Sequence, residues 1–279
     1  MDEAPHASAD FAAIGRSGRA AWWRYLLGLA FIVVGFVVLG VGLVLVRMEL
    51  PPIDDAWLDQ YLELNTPFLP VIPLIALVVW AWHRRSPYGL FTAAPRIAWG
   101  RIAVALIATG TPLLAVSLIL GDETVPSDSG LGWMLRIAPI LLVLTPIQAA
   151  SEEVLFRGYL LQATAAVTRS RAVILLVNAV AFAGLHVINP EAVVSPLPAL
   201  LGFGLWGAGL AWVALADRGL ELVIGAHVAN NLVSFAIAGY LKLPFGARAG
   251  AYEPIAHIAS VAAILLILAA IIRLKPRRD

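Results

Sequence analysis

The stretch YLLGLAFIVVGFVVLGVGLVLV, residues 25–46, decides the fold class because it contains no charged side chain over its whole length. A helix needs about 20 apolar residues to cross a bilayer, so this stretch is long enough to do so. Arg16, Arg19 and Arg24 precede it, which gives it the outline of a secretory signal. The run is too long for a signal and lacks a convincing small-residue cleavage site. We therefore predict a retained first membrane span.

The composition of the whole chain agrees with this prediction. Of the 279 residues, 61% are hydrophobic and 13% are charged, against about 25% charged in a soluble domain. The mean hydropathy is +0.87. A formal charge of +1 gives no reason to expect a nucleic-acid partner. The absence of cysteine excludes disulfides, thiolate nucleophiles and cysteine metal ligands, which leaves carboxylate, imidazole, hydroxyl and amide groups for chemistry.

Apolar runs of similar length recur along the chain and predict an all-α, polytopic membrane protein with about eight transmembrane helices. The predicted spans are residues 21–46, 68–82, 97–120, 131–148, 172–187, 197–215, 220–239 and 255–274. The second span is the shortest. The helix of the fourth should continue to about Val167, because residues 149–167 contain no proline. We predict one membrane domain, 21–274, with a cytoplasmic segment 1–20 before it and a basic cytoplasmic tail 275–279 after it.

The distribution of basic residues predicts the orientation of these spans. Basic residues occupy alternate loops: Arg16, Arg19, Arg24; Arg84, Arg85, Arg96; Arg169, Arg171; Arg218; and Lys275, Arg277, Arg278. The first two loops between them are acidic, with Asp54, Asp55, Asp59, Glu63, Asp122, Glu123 and Asp128, and only the last outer loop, with Lys242 and Arg248, departs from the trend. By the positive-inside rule both termini are cytoplasmic, which is typical of a multi-pass protein of a plasma or inner membrane.

Two adjacent acids, Glu152 and Glu153, lie in otherwise apolar surroundings, where an ionised carboxylate needs a partner or a function. Arg157 follows Glu153 by four residues, in the order that favours a helical ion pair. Consecutive helix positions point about 100° apart, so we expect different roles for the two acids. Glu153 would be a supporting acid and Glu152 would face a cavity. Alternatively, both belong to a solvated cytoplasmic turn after a shorter helix.

Two further polar pairs each share one face of a helix, Phe182 with His186 and His227 with Asn231. His186 could be a satisfied interfacial residue, and His227 with Asn231 could simply hold helices together. Taken with Glu152, the pairs supply one carboxylate, two imidazoles and one amide from three helices. Water-mediated acyl hydrolysis requires such a set, with a base for the water and donors for the oxyanion.

The motifs resemble those of the CAAX-processing and bacteriocin-processing (CPBP/Abi) intramembrane endopeptidases, which include the type II CAAX prenyl endopeptidases. EEVLFR at 152–157 is similar to their EExxxR motif, FAGLH at 182–186 to FxxxH, and HVANN at 227–231 to HxxxN. The resemblance covers a catalytic core of about 131–239. It implies that Glu152 and His186 activate water and that His227 and Asn231 form the oxyanion site. It also implies that Glu153 and Arg157, beside Phe182, support the geometry.

The resemblance implies an intramembrane endopeptidase without a metal cofactor, acting on a membrane-associated peptide or protein, lipid-modified or not, among membrane lipids. Three alternatives stay open. A zinc-dependent variant would bind the metal through Glu152, His186 and His227. A proton- or solute-coupled carrier would use these residues as a relay. A silent scaffold would use them only to hold helices together. Neither the natural substrate nor the oligomeric state follows from the sequence.

Overall fold

A computed structural model describes residues 10–51, 53–120, 130–241 and 254–276, and within these ranges the protein is all-α. The α-helices are α1 Trp22–Met48, α2 Ala56–Asn65, α3 Val71–Leu77, α4 Trp99–Leu120, α5 Leu131–Glu153, α6 Leu161–Val167, α7 Arg171–Leu185, α8 Pro190–Val194, α9 Pro196–Asp217, α10 Glu221–Tyr240 and α11 Pro254–Leu274. Two π-helical segments, Val78–Trp82 and Val154–Leu160, continue α3 and α5. Short 3₁₀ turns form at Phe11–Arg16, Thr66–Phe68 and Pro87–Leu90.

Seven helical segments in the described ranges are long and apolar enough to cross a membrane. They are Trp22–Met48, Ala56–Trp82, Trp99–Ile119, Gly132–Val167, Pro196–Asp217, Glu221–Tyr240 and Pro254–Leu274. The predicted fifth span corresponds to α7, an apolar helix of 15 residues that falls short of spanning length. The predicted all-α membrane architecture is confirmed, with seven span-length helices and one shorter apolar helix in the described ranges where about eight spans were predicted.

The second span is longer than predicted, because it begins at Ala56 rather than Phe68. Acidic residues in and just before α2 lower the hydropathy of this segment, and two of them have partners. Asp59 pairs with Arg47 at the end of α1, and the side chain of Asp55 accepts a hydrogen bond from the backbone N–H of Leu58, which caps α2. Pairing of this kind allows the helix to extend through a segment that composition alone places in a loop.

The long helical segment Gly132–Val167 confirms the predicted extension to Val167 and runs through the centre of the protein. Its middle part is buried, including Val154, Phe156 and Tyr159. Around it, α10 packs against α4 and α5, and α9 packs against α7 and α11. The middle of this segment therefore faces helices on several sides, and any chemistry placed there is shielded from the surface.

The segment before α1 packs against the end of this central helix. Phe11 is fully buried, and the Tyr25 hydroxyl donates to the Gly15 carbonyl at 2.6 Å. Arg85 donates from Nη1 to Oε1 of Gln162 on α6 at 2.6 Å. Next to it, the buried His83 ring contacts the Arg19 carbonyl through Nδ1 and the Tyr159 hydroxyl through Nε2, at 3.1 and 3.0 Å. These contacts fasten the amino-terminal segment to the helix that carries Glu152.

Several residues used in the orientation prediction lie outside the described ranges. They are Asp122, Glu123, Asp128, Lys242, Arg248, Arg277 and Arg278, together with the first nine residues of the predicted cytoplasmic segment.

Candidate active site

The predicted site residues come from three neighbouring helices. Glu152 and Glu153 end α5, at the point where the helix changes to the π-helical segment that carries Arg157. His227 and Asn231 lie on α10. Phe182 lies on α7, and His186 follows the last residue of that helix. π-Helical turns occur frequently at functional sites, where the wider turn changes the direction of side chains.

Glu153 and Arg157 form the expected ion pair, and both are fully buried. Nη1 of Arg157 donates to Oε1 of Glu153 at 2.9 Å. The same oxygen lies 2.6 Å from Nδ1 of His227, a contact that the spacing of the motifs does not reveal. Because an ionised carboxylate can only accept, Nδ1 of His227 carries a hydrogen. Glu153 thereby sets the orientation of the imidazole as well as neutralising the arginine.

Glu152 approaches the same imidazole from its other side. Its Oε2 lies 3.9 Å from Nε2 of His227, and its side chain is 14% exposed. The two glutamates thus have different positions, as expected from the helix geometry, but they face opposite nitrogens of one histidine. The remaining oxygen, Oε1, accepts a hydrogen bond from Nε2 of Gln148. Glu152 is therefore held through one oxygen while the other faces His227.

Asn231 is joined to this group through Gln148. Nδ2 of Asn231 donates to Oε1 of Gln148 at 2.8 Å, and Oδ1 of Asn231 accepts from Nδ2 of Asn230 at 3.0 Å. Gln148 was not among the predicted site residues. A signal was present, because Gln148 precedes Glu152 by four residues and so lies on the same helix face.

His186 is held by aromatic rings. Its imidazole lies between Phe182 and Phe203, with both centroid separations at 4.4 Å. Its Nδ1 lies 2.7 Å from the carbonyl oxygen of Phe182, which leaves Nε2 as the outward nitrogen. In the described part of the chain it makes no hydrogen bond to Glu152. Of the predicted residues, polar contacts thus join Glu152, Glu153, Arg157, His227 and Asn231, and rings connect His186 to them.

Helix α9 packs against Arg157 and His227 of the site. Nη2 of Arg157 donates to the carbonyl oxygens of Trp206 and Gly207 at 3.2 and 3.4 Å. The Trp206 ring meets the His227 ring edge-on at 5.7 Å, and the Arg157 guanidinium lies 4.6 Å from the centroid of Phe182. The glycine-rich character of this helix predicts close packing, but Trp206 was not foreseen.

The described residues contain no group of three His, Asp or Glu side chains arranged to hold a metal ion. Of the zinc ligands considered above, Glu152 and His227 come together, and Nδ1 of His227 is already occupied by Glu153. Only Nε2 of the His227 ring would be available to bind a metal ion.

Residues 134–233, which include every predicted site residue, match the family model for the type II CAAX prenyl endopeptidase Rce1-like proteins. This segment is similar to the Rce1-like proteins. The resemblance read from the motifs is thereby confirmed, and the Rce1-like family consists of proteases, as predicted for the enzyme class. The family and the seven span-length helices together make the chain an integral membrane protein.

A relative in Bacillus subtilis (strain 168), the uncharacterized protein YyaK, is 29% identical over 238 residues. The alignment covers 77% of each of the two chains. No solved structure matches this chain.

Proposed function

We propose that this chain is an intramembrane endopeptidase that cleaves a membrane-associated peptide or protein with water activated by Glu152. The observation that carries the proposal is the placement of Oε2 of Glu152, which is buried, accepts no hydrogen bond from the described residues, and lies 3.9 Å from Nε2 of His227. This separation is too long for a direct hydrogen bond, so Oε2 keeps its capacity to accept a hydrogen bond from the attacking water.

In the proposed reaction, Glu152 takes a proton from this water as the water oxygen bonds to the scissile carbonyl carbon. Collapse of the tetrahedral intermediate breaks the carbon–nitrogen bond, and the proton passes from Glu152 to the departing amine. His186, with Nδ1 bound to the Phe182 carbonyl, offers Nε2 to orient the water. Apart from the substrate, the reaction consumes only one water molecule.

The oxyanion would form beside His227 and Asn231. The Asn231 amide has two N–H groups and donates one to Gln148, so the second is available to the oxyanion. His227 would donate to the oxyanion through Nε2 in its doubly protonated form, because Nδ1 already donates to Glu153 and a neutral ring carries no hydrogen on Nε2. Donors placed in advance in a site of low dielectric are an efficient way to stabilise such charge.

The family description, type II CAAX prenyl endopeptidase, supports a proposal for the substrate class. We propose that the substrate is a membrane-bound peptide or protein segment with a lipid-modified cysteine, and that unmodified peptides are poorer substrates. From the alternate basic loops we also propose that both termini are cytoplasmic, as for a plasma- or inner-membrane protein with one membrane domain, which requires α7 to cross the membrane together with the seven span-length helices.

The test uses purified protein in liposomes with two fluorescence-quenched peptides that differ only in S-farnesylation of one cysteine. We expect cleavage by the wild type and none by Glu152→Gln, in protein that remains inserted and monodisperse. In ¹⁸O-labelled water the new carboxylate should gain one ¹⁸O atom. Full activity of Glu152→Gln would exclude the proposed role of the glutamate.

The same preparation separates the alternatives. Stoichiometric zinc, with activity lost to 1,10-phenanthroline and restored by added metal, would establish the zinc-dependent variant. Solute or proton flux across the liposome without peptide cleavage would establish a carrier. Comparative peptidomics of membranes containing the native protein or Glu152→Ala would then identify natural substrates.

A further inference from the structure

The Gln148 side chain is buried and hydrogen-bonded at both ends of its amide. Nε2 donates to Oε1 of Glu152, and Oε1 accepts from Nδ2 of Asn231 on another helix. Gln148 lies outside the three motifs that identify the site. It is nevertheless the direct connection between the proposed base and the proposed oxyanion donor.

The direction of these hydrogen bonds is fixed by their ends. The carboxylate of Glu152 can only accept, so the nitrogen of Gln148 must face it, and the oxygen of Gln148 then faces the N–H of Asn231. Asn230 donates to Asn231 in the same sense. Each hydrogen bond in this series donates towards the carboxylate, from Asn230 to Asn231, then to Gln148 and then to Glu152. Rotation of the Gln148 amide by 180° would set oxygen against oxygen and N–H against N–H.

This series of hydrogen bonds determines which atoms of Glu152 and Asn231 remain available to the substrate. Because Oε1 of Glu152 is occupied, Oε2 is the oxygen that faces Nε2 of His227. Because Oδ1 of Asn231 is occupied by Asn230, the amide of Asn231 is oriented with its nitrogen towards Gln148 and the glutamate. Without these hydrogen bonds, the side chains of Glu152 and Asn231 would be free to adopt other rotamers.

We infer that Gln148 is a positioning residue for peptide-bond hydrolysis, which locks the carboxylate of Glu152 and the amide of Asn231 into one mutual orientation. This inference rests on the proposed function, since it assigns Gln148 a role through those two side chains. Residues that orient a reacting group through a hydrogen bond, without touching the substrate, commonly contribute about 10–100-fold to activity.

Two variants test the inference with the quenched peptides described above. Gln148→Met keeps the length of the side chain and removes both hydrogen bonds. We expect kcat to fall by about 10–100-fold, with KM changed by less than about threefold because the lost interaction orients reacting groups rather than binding substrate. The acid limb of the kcat profile should move to higher pH, because a carboxylate that loses a donor holds its proton more tightly.

Gln148→Glu gives an independent readout that also serves if the methionine variant fails to fold. A protonated carboxylic acid both donates and accepts, as the amide does, whereas an ionised one repels Glu152. Activity relative to the wild type should therefore recover as the pH is lowered. A purely structural role would not produce opposite pH responses in the two variants.

Thr145→Val is the matched control. Thr145 is a buried polar residue of α5 one turn earlier, and its hydroxyl bonds to that of Tyr61 at 2.8 Å, away from Glu152. We expect its kcat and pH profile to be those of the wild type. Wild-type kcat and pH profiles in both Gln148 variants, with Glu152→Gln inactive, would overturn the inference and leave the proposed function standing. Full activity of Glu152→Gln would overturn both.

Discussion

Nδ1 of His227 lies 2.6 Å from Oε1 of Glu153, the oxygen that also accepts the hydrogen bond from Arg157. One buried carboxylate therefore orients an imidazole and balances a buried guanidinium at the same time. The second acid of the pair thus has a function of its own, which an ion pair between Glu153 and Arg157 would not by itself require.

Arg157→Met should strongly destabilise the protein. The arginine is fully buried, and its removal leaves the Glu153 charge without a cation, which typically costs about 3–5 kcal/mol. A lower apparent melting temperature in detergent and a smaller monodisperse fraction would report the loss. A melting temperature equal to that of the wild type would contradict the buried pair.

The double variant Glu153→Gln with Arg157→Met separates stability from activity. Removing both charges should restore part of the melting temperature lost in Arg157→Met, because no unpaired charge remains. Peptide cleavage should stay at least about tenfold below the wild type, because His227 has lost the carboxylate that faces Nδ1. Recovery of stability and activity together would show that Glu153 serves only to neutralise Arg157.

Phe203→Leu should lower kcat, because Phe203 forms one wall of the ring stack that holds His186. Leucine keeps the site apolar but lacks the planar face, so the imidazole would sample other orientations. The matched control is Phe36→Leu, which removes a ring of the Phe36–Phe68 pair, a ring contact outside the stack on His186. Steady-state kinetics should show a lower kcat for Phe203→Leu alone; equal kcat in both variants would argue against a role for the stack.

Gly207→Ala should disturb the packing of α7 on α9. A Cβ at this position would lie 2.8 Å from the Asn178 carbonyl oxygen and 2.9 Å from Cα of Ala179, both backbone atoms. Overpacking of this kind costs about 1–3 kcal/mol. At Gly204, on the same helix, the nearest atom would be 3.9 Å away, so Gly204→Ala serves as the control. We expect a lower melting temperature for Gly207→Ala alone, and similar values in the two variants would be inconsistent with this close approach.

Acidification should weaken the attachment of the amino-terminal segment through His83. Burial lowers the pKa of this histidine below its ordinary value; the hydrogen bond to the Arg19 carbonyl opposes part of this shift, and Arg85 and Arg24 lower the pKa further. The unfolded chain therefore takes up the proton first. The neutral histidine's contribution to stability is complete above a pH of about 6.5 and is lost progressively below it, by at most about 1.4 kcal/mol per pH unit.

The measurement compares melting temperatures of the wild type and His83→Gln between pH 7.5 and about pH 5. The wild-type curve should fall more steeply below about pH 6.5, because glutamine does not titrate. Parallel curves for the two proteins would show that protonation of His83 does not affect stability.

Hydropathy and motif spacing predicted most of this fold, because uncharged runs of spanning length have few alternatives in a bilayer. They failed where charges are paired within the protein. Asp59 and Glu63 suggested a loop, but the ion pair of Asp59 with Arg47 lets the second span begin at Ala56. Arg85 lies in the loop between the second and third spans, as predicted, but its burial against Gln162 was not anticipated.

The sequence predicted which residues form the candidate site, but only some of the contacts between them. The i,i+4 spacing foresaw the pairing of Glu153 with Arg157. The contact of His227 with Glu153 joins residues 74 positions apart, and no local periodicity encodes it. Trp206 was equally out of reach, since an aromatic residue in an apolar helix has nothing that distinguishes it from a lipid-facing one.

The π-helical segment Val154–Leu160 separates the glutamates from Gln162. Each residue added to a helix turns everything beyond it by about 100°. A single insertion inside this segment would leave Glu152 and Glu153 in place and turn Gln162 away from Arg85, whose guanidinium also contacts the Ile14 carbonyl of the amino-terminal segment. The number of residues between these two points is thus as much a requirement of the molecule as their chemical nature.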